Sequence, residues 1–340
     1  MKKSIFILFV VFFMIECSTK KESPYEFSDV EVISFEEIDF PATLGVTLQL
    51  VKYDNHLLIN DFHGDSLVSV FNLKKNEIDR KIISKGKGPN ELISPLDIQV
   101  SGDNLYILSR PIFSLNHIDL DFIKKETAIP LQKDFQLPPK SDRFIALDNS
   151  LFIFSGLWEK RYVYLDLNKP DELREFGEYP DYWSEEKDVS NEVKAMFHQC
   201  QFIKHPTKNI FASCSGYVFE IYTYDSGKKT LPNLLFKKQL GSYSYSYTED
   251  GILTANAHTD SDPMAIDLAC SDTYIYIITQ SADNRKKRDI MVLDWEGNPI
   301  KLLKSDKCIV CLTVDEESGK GYCVIEDPED TLVSFALRNQ

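Results

Sequence analysis

The chain has 340 residues, 43% hydrophobic and 12% aromatic, enough apolar material for a large core in one big all-β domain or two smaller ones. Its formal charge is −15 and its pI is near 4.9, with no basic stripe of the kind a phosphate backbone requires, so nucleic acid is excluded as a partner. The surplus negative charge reads as a solubility device.

The first residues read as an export signal. Lys2 and Lys3 precede an apolar run over residues 5–15, too short to span a bilayer comfortably but suited to a signal segment. Cys17 follows at once, then the polar stretch STKKESPYE. A cysteine at this place resembles a bacterial lipobox, whose thiol takes a diacylglycerol and becomes the mature N-terminus. Glu16 departs from the small residue that usually precedes that cysteine, and the alternative is a secreted chain cut elsewhere. Acyl chains at Cys17 would tether a soluble domain to a membrane surface without making it a spanning protein. The expected organisation is a signal segment over 1–17, a linker over 18–26 and one domain over 27–340.

After residue 45 a strand pattern recurs six times. The first apolar runs are LLIND (57–61), LYILS (105–109), LFIFS (151–155), IFASC (210–214), IYIIT (275–279) and GYCVI (321–325). Their partners are LVSVFNL (67–73), SLNHIDL (114–120), RYVYLDL (161–167), VFEIYTY (218–224), DIMVLDW (289–295) and TLVSFAL (331–337). In the first copy, residues 46–54 add an inner strand and residues 77–83 an outer one. Turns rich in Asn, Asp and Gly suit tight antiparallel connections. Repeats of this length built from several strands predict an all-β, six-bladed propeller of four-stranded antiparallel blades. The sixth copy ends after its third strand, and residues 29–38 form an extended stretch without a partner. The N-terminal strand is therefore expected to complete the last blade and close the ring, leaving no sheet edge open.

Up-and-down blades sort their connections onto two faces. The inner-to-second and third-to-outer turns share one face and read as uniformly short. The second-to-third loops and the interblade connections share the other. The long connections fall there: residues 178–200, with a short helix expected over 184–197 capped by Ser184, and residues 241–263, whose Ser-Tyr alternation suits an added strand pair.

SKGKGPNEL (84–92) is the most motif-like stretch, but it lacks the GK[ST] ending and a following helix, so it reads as a structural interblade turn. Its KGxGPxE segment, behind a signal and a cysteine, resembles the GxGPGEF motif of Bacteroidetes-type TolB-like six-bladed propeller lipoproteins. Asn90 stands for the second Gly of that motif and Leu92 for Phe. The resemblance implies an exported, cell-envelope propeller and supplies no catalytic residues.

Six cysteines follow Cys17, in no disulfide framework. Cys308 and Cys311 have zinc spacing, but on a strand residues three apart face opposite ways, and buried single thiols are expected.

The long-loop face gathers His63, Lys85, Lys87, Arg110, Trp158, Lys160, Arg161, Arg285 and Arg288. Such cations fix acidic groups, and exposed aromatics stack on sugars. The leading reading is a non-catalytic binding or scaffolding module, expected as a monomer without a cofactor, for a glycan, peptide or envelope protein. The alternative is a calcium-dependent lactonase or esterase with its metal at the central channel, where Asp61, Asp97, Asn116 and Asp272 are candidate oxygen ligands. No nucleophile elbow, HExxH or paired-carboxylate motif is present.

Overall fold

The computed structural model describes residues 25–62, 66–121, 130–180, 189–241, 243–251, 253–257, 264–281 and 284–337. Six small sheets, each built on four antiparallel strands and five of them in sequence order, stand as the blades of a propeller. The inner strands are Thr47–Tyr53, Ser94–Ser101, Ser141–Ala146, Gln201–Lys204, Met264–Cys270 and Cys308–Asp315, and each touches the next around a closed ring.

The apolar runs are continuous because each blade is covered on both faces. In blade one Leu57 and Ile59 pack toward blade six, while Leu58 between them packs toward blade two. In blade two Leu105 and Ile107 face blade one, and Tyr106 and Leu108 face blade three. The period of two therefore separates two interfaces rather than core from solvent. Six apolar clusters result, one for each interblade junction. A fully buried Leu or Phe contributes on the order of 1.5–3 kcal/mol to such a junction.

Ring closure involves the N-terminal segment, divided between two blades. Glu36–Glu37 pairs antiparallel with Asp330–Ala336 and forms the outer strand of blade six. Val30–Val32 instead pairs parallel with Pro299–Lys304 and adds a fifth strand to blade five. Ile33 and Ile38 N–H continue the two contacts by donating to Lys304 O and Leu332 O. The segment thus straps blade five to blade six as well as closing the last sheet.

Several local expectations need correction. The short-turn face is not uniformly short, since residues 120–131 connect the third and outer strands of blade two. The NRKKR run lies within the strand Asn284–Asp294, not in a loop. The helix is Asn191–Phe197 with Ser190 at its N-cap; Ser184 falls outside the described residues. In blade six a bulge between Ile309 and Cys311 overturns the simple alternation. Cys308 lies opposite Glu326 and Cys311 opposite Val324, residues two apart on the partner strand, so both cysteines fall on one face. Cys311 is a buried free thiol, and Cys308 Sγ lies 3.8 Å from Glu326 Oε2. The Ser-Tyr insertion forms the hairpin Tyr243–Tyr247 with Leu253–Ala257.

Candidate functional site

The axis of the ring is built from one repeated device. Five of the six inner strands carry a bulge near their loop-face end, and only Gln201–Lys204 pairs without one. In three of them the residue after the bulge turns inward and reaches the next blade, while Phe144 and Cys311 after the other two pack in interblade clusters. Gln49 Oε1 accepts Ile98 N–H at 2.8 Å, Asp97 Oδ2 accepts Phe144 N–H at 3.0 Å, and Asp267 Oδ2 accepts Leu312 N–H at 3.1 Å. Gln49 Nε2 also donates to Asp97 Oδ1 at 2.5 Å. Below these ties the channel widens to about 400 Å³ toward the short-turn face, among side chains such as Gln99, Lys204 and Thr313. Burial pushes the Asp97 carboxyl up, against the Arg143 charge and its two hydrogen bonds. Burial likewise pushes Asp267 up to about 7, opposed by backbone N–H groups and Arg143.

The four candidate calcium ligands occupy separate places. Asp61 accepts Gly45 and Val46 N–H at the entrance to blade one, and Asn116 Nδ2 donates to Ser114 O within blade two. Asp272 accepts from Thr207 Oγ1 on the short-turn face. Of the four, Asp97 is the one that reaches the ties on the axis.

The loop face carries exposed Lys85, Lys87, Lys140 and Lys160. Lys85 Nζ sits 5.3 Å from the Phe62 ring and Lys140 Nζ 5.9 Å from the Trp158 ring. Lys160 pairs with Glu178 at 2.6 Å, and Lys304 and Lys307 pair with Asp289 and Asp327. Many loop-face charges therefore pair within the face. Its apolar exposure is more distinctive. Val46 is 44% exposed, Ile112 46%, Met196 58% and Tyr247 71%, and all four sit on loop-face connections. The other large exposed apolar side chains, Val30, Val32, Leu234 and Leu235, lie on strands at blade edges.

The remaining expected site residues scatter. Cys17 and His63 lie outside the described residues, and Arg285 is placed by its backbone in the strand Asn284–Asp294. Arg110 pairs with buried Asp142. Arg288 is an interblade tie, donating to Gln280 Oε1 at 3.0 Å and Ile309 O at 2.7 Å. Trp158 and Arg161 are buried, not presented on the face.

Arg161 heads a polar cluster between blades three and four that periodicity alone did not locate. Its Nη2 donates to Ser215 Oγ at 2.7 Å, and its Nε lies 3.4 Å from Glu220 Oε2. Tyr162 and Tyr222 hydroxyls donate to the same Glu220 oxygen at 2.8 and 3.1 Å, and Lys237 approaches its other oxygen at 3.4 Å. Burial pushes the Glu220 carboxyl up, but Arg161, Lys237 and the two hydroxyls outweigh it and hold the carboxyl below its usual value. The Cys200 thiol beside them is pushed up to about 12 by burial, so it is no nucleophile as it stands. A signal for this cluster was present: Arg161 and Glu220 each interrupt an otherwise apolar strand run.

The GxGP segment is a turn held by its own glutamate. Gly88 N–H donates to Glu91 Oε2 at 2.7 Å, and Gly86 N–H donates to Leu92 O at 3.0 Å. A Cβ at Gly86 would fall 2.0 Å from Glu91 Oε2, so a side chain there would have to displace that carboxylate. Asn90 takes φ 64°, the left-handed region that Asn tolerates, where the motif has its second Gly.

No curated protein matches the chain. Among solved structures it resembles a presumed exported protein of Bacteroides fragilis NCTC 9343, at TM-score 0.59 and 11% identity over 93% of this chain and 99% of that one. It also resembles a DUF4221 family member from Bacteroides vulgatus ATCC 8482, at TM-score 0.58 and 10% identity over 90% and 98% of the two chains. At such identities the likeness concerns the fold. Residues 43–317 match the family described as TolB-like 6-blade propeller-like. The chain belongs to this TolB-like six-bladed propeller family.

Proposed function

We propose that the protein is an exported, lipid-anchored binding module that takes an apolar-containing peptide or protein segment of the cell envelope on its loop face. One observation carries this reading: Val46, Ile112, Met196 and Tyr247 stay exposed on the face where the ring gathers its longest connections. Exposed apolar groups brought together on one face mark interaction surfaces. Export is supported by the signal-like N-terminus and by the likeness to the Bacteroides fragilis protein.

The anchor suits this orientation. Tyr25 donates to Gly297 O at 3.0 Å, in the third-to-outer turn of blade five, so the chain joins the ring at the short-turn face. Residues 18–24 reach at most roughly 25 Å. Acylation at Cys17 would hold the short-turn face toward the membrane and turn the loop face away from it.

The test is a peptide and glycan array probed with the mature protein and with a Met196→Glu/Tyr247→Glu variant. Peptide binding that weakens at least about ten-fold in the variant is expected. Binding confined to glycans, or a variant that binds peptides like the parent, would sink the reading.

A further inference from the structure

A pocket opens between blades three and four on the short-turn face. Two third-to-outer turns form it. Residues 167–173 connect Tyr162–Asp166 to Arg174–Phe176, and residues 224–232 connect Val218–Thr223 to Asn233–Gln239. The pocket holds about 280 Å³ and is lined by Asp166, Lys169, Glu172, Arg174, Lys228 and Lys229. Four of these six side chains are cationic, in a chain whose formal charge is −15. A wholly charged lining suits an ion and not an apolar group.

The two turns hold one guanidinium in a fixed place. Asp225 Oδ1 accepts Gly227 and Lys228 N–H at 3.0 Å each, and Asp225 O accepts Lys229 N–H at 3.0 Å. Lys229 takes φ 51°, a left-handed position that Gly or Asn fills more readily. From there its carbonyl accepts Arg174 Nη2 at 2.8 Å, and its Nζ pairs with Asp166 at 2.9 Å. Burial works to raise the Asp166 carboxyl, but Lys229 and Asn168 outweigh it and hold the group below its usual value, so Asp166 stays ionised and cancels the Lys229 charge. The Arg174 guanidinium also lies 4.4 Å from the centroid of the buried Tyr164 ring. Among the described residues no carboxylate pairs with Arg174, and Lys229 O occupies one of its five N–H donors. Lys169 and Lys228 flank it, 64% and 79% exposed. They pair with Glu172 at 3.5 Å and with Asp225 at 3.2 Å, contacts that hold weakly at such exposure. Asp171 lies in the same turn but outside the lining. With Asp225 added to the lining, each carboxylate has a lysine partner, and Arg174 is the cation left over.

We propose that this pocket binds a phosphate group, with Arg174 as its fixed donor and the Lys169 and Lys228 ammoniums reaching the remaining oxygens. A tetrahedral oxyanion accepts from several directions, which three cations drawn from two blades supply, and a guanidinium gives it charge-assisted, bidentate bonds. The volume leaves room for that group and several waters, at about 30 Å³ per water. A lipid headgroup presents the phosphate as a diester and a soluble metabolite as a monoester, with the same chemistry at the pocket. The site lies on the face opposite the exposed apolar side chains, so either proposal can fail without the other.

The experiment is a calorimetric titration of the mature protein with inorganic phosphate, glycerol 3-phosphate, glycerophosphoglycerol and acetate, with chloride holding the ionic strength constant. Inorganic phosphate and glycerol 3-phosphate are expected to bind saturably, and acetate is not. Glycerophosphoglycerol, a water-soluble headgroup diester, distinguishes the sources: an affinity within about ten-fold of glycerol 3-phosphate assigns the pocket to a lipid headgroup, and a weaker one assigns it to a soluble monoester. Lys169→Gln/Lys228→Gln should weaken phosphate binding about ten-fold, and Arg174→Lys, which keeps the charge but loses the fork, by a similar factor. Lys208→Gln/Lys320→Gln removes the same charge from exposed positions elsewhere on the short-turn face and should bind like the parent. No saturable binding of phosphate, acetate binding as well as phosphate, or an equal loss in Lys208→Gln/Lys320→Gln would overturn the proposal. So would parental binding in Lys169→Gln/Lys228→Gln, a variant that changes only exposed side chains and so tests the site even if Arg174→Lys fails to fold.

Discussion

Replacing Asp267 by Asn isolates one charge on the ring axis. The native carboxyl is raised from 3.8 to about 7, chiefly by burial. Between those values the folded protein holds a proton that the unfolded chain has released, so Asp267 makes stability fall as pH rises through the window. Taken in full, a shift of about 3 units corresponds to about 4 kcal/mol. Asp267 lines the channel and is only partly buried, so channel water screens it and about half of that, ~2 kcal/mol, is the effect we expect. Asn keeps an oxygen to accept Leu312 N–H, so the interblade tie survives. Urea unfolding of both proteins from pH 4 to 8.5 gives the difference directly. The variant should match the parent near pH 4, gain on it as the pH rises, and be the more stable by ~2 kcal/mol at pH 7 and above. Stability curves that run parallel across the range would refute the reasoning, since they would place the Asp267 pKa at its ordinary value.

Two further predictions concern the GxGP turn. Gly86→Ala forces the Glu91 carboxylate off Gly88 N–H and should cost about 1–2 kcal/mol; Glu91→Ala should cost a similar amount, and the double variant little more than either. Additive losses in the same urea melts would show that the two residues act separately. Asn90→Gly should lose only the 2.9 Å bond from Leu131 N–H to the side chain, whereas Asn90→Ala adds the left-handed backbone penalty and should be less stable than Asn90→Gly by about 1 kcal/mol. An Ala variant as stable as the Gly variant would refute that account.

Blade number, strand order and the two-faced distribution of connections were legible because they rest on period-two apolar runs and turn residues, which are local signals. The strap was legible only in part. The unpaired stretch 29–38 showed that the last blade needed a strand, but nothing in it distinguished pairing with blade six from pairing with blade five. The loop-face residues fared differently because exposure is decided by neighbours distant in sequence. Arg161 opens a strand beside a loop and reads as a surface cation, yet its partners Ser215 and Glu220 lie more than fifty residues further on. Cys308 and Cys311 show the cost of assuming a regular strand: one bulge residue reverses the parity on which the argument depended.

The bulges also bear on how the axis should be interpreted. Gln49, Asp97 and Asp267 differ in charge yet do the same thing, lending an oxygen to the next blade's N–H, and Thr313 Oγ1 does likewise for Lys52 N–H at 3.2 Å where blade six meets blade one. Any oxygen-bearing side chain of suitable length meets that need, so a ring of this shape tolerates wide sequence change at its axis. Carboxylates there are accounted for by the closure of the ring, and their presence is no argument for a catalytic metal. The Arg161 cluster differs on this same criterion. Its Nη2 is engaged by Ser215, while its Nη1 is buried and meets no acceptor among the described residues. Donors that the architecture leaves unused, in a place where leaving them unused is costly, are what a ligand group would explain.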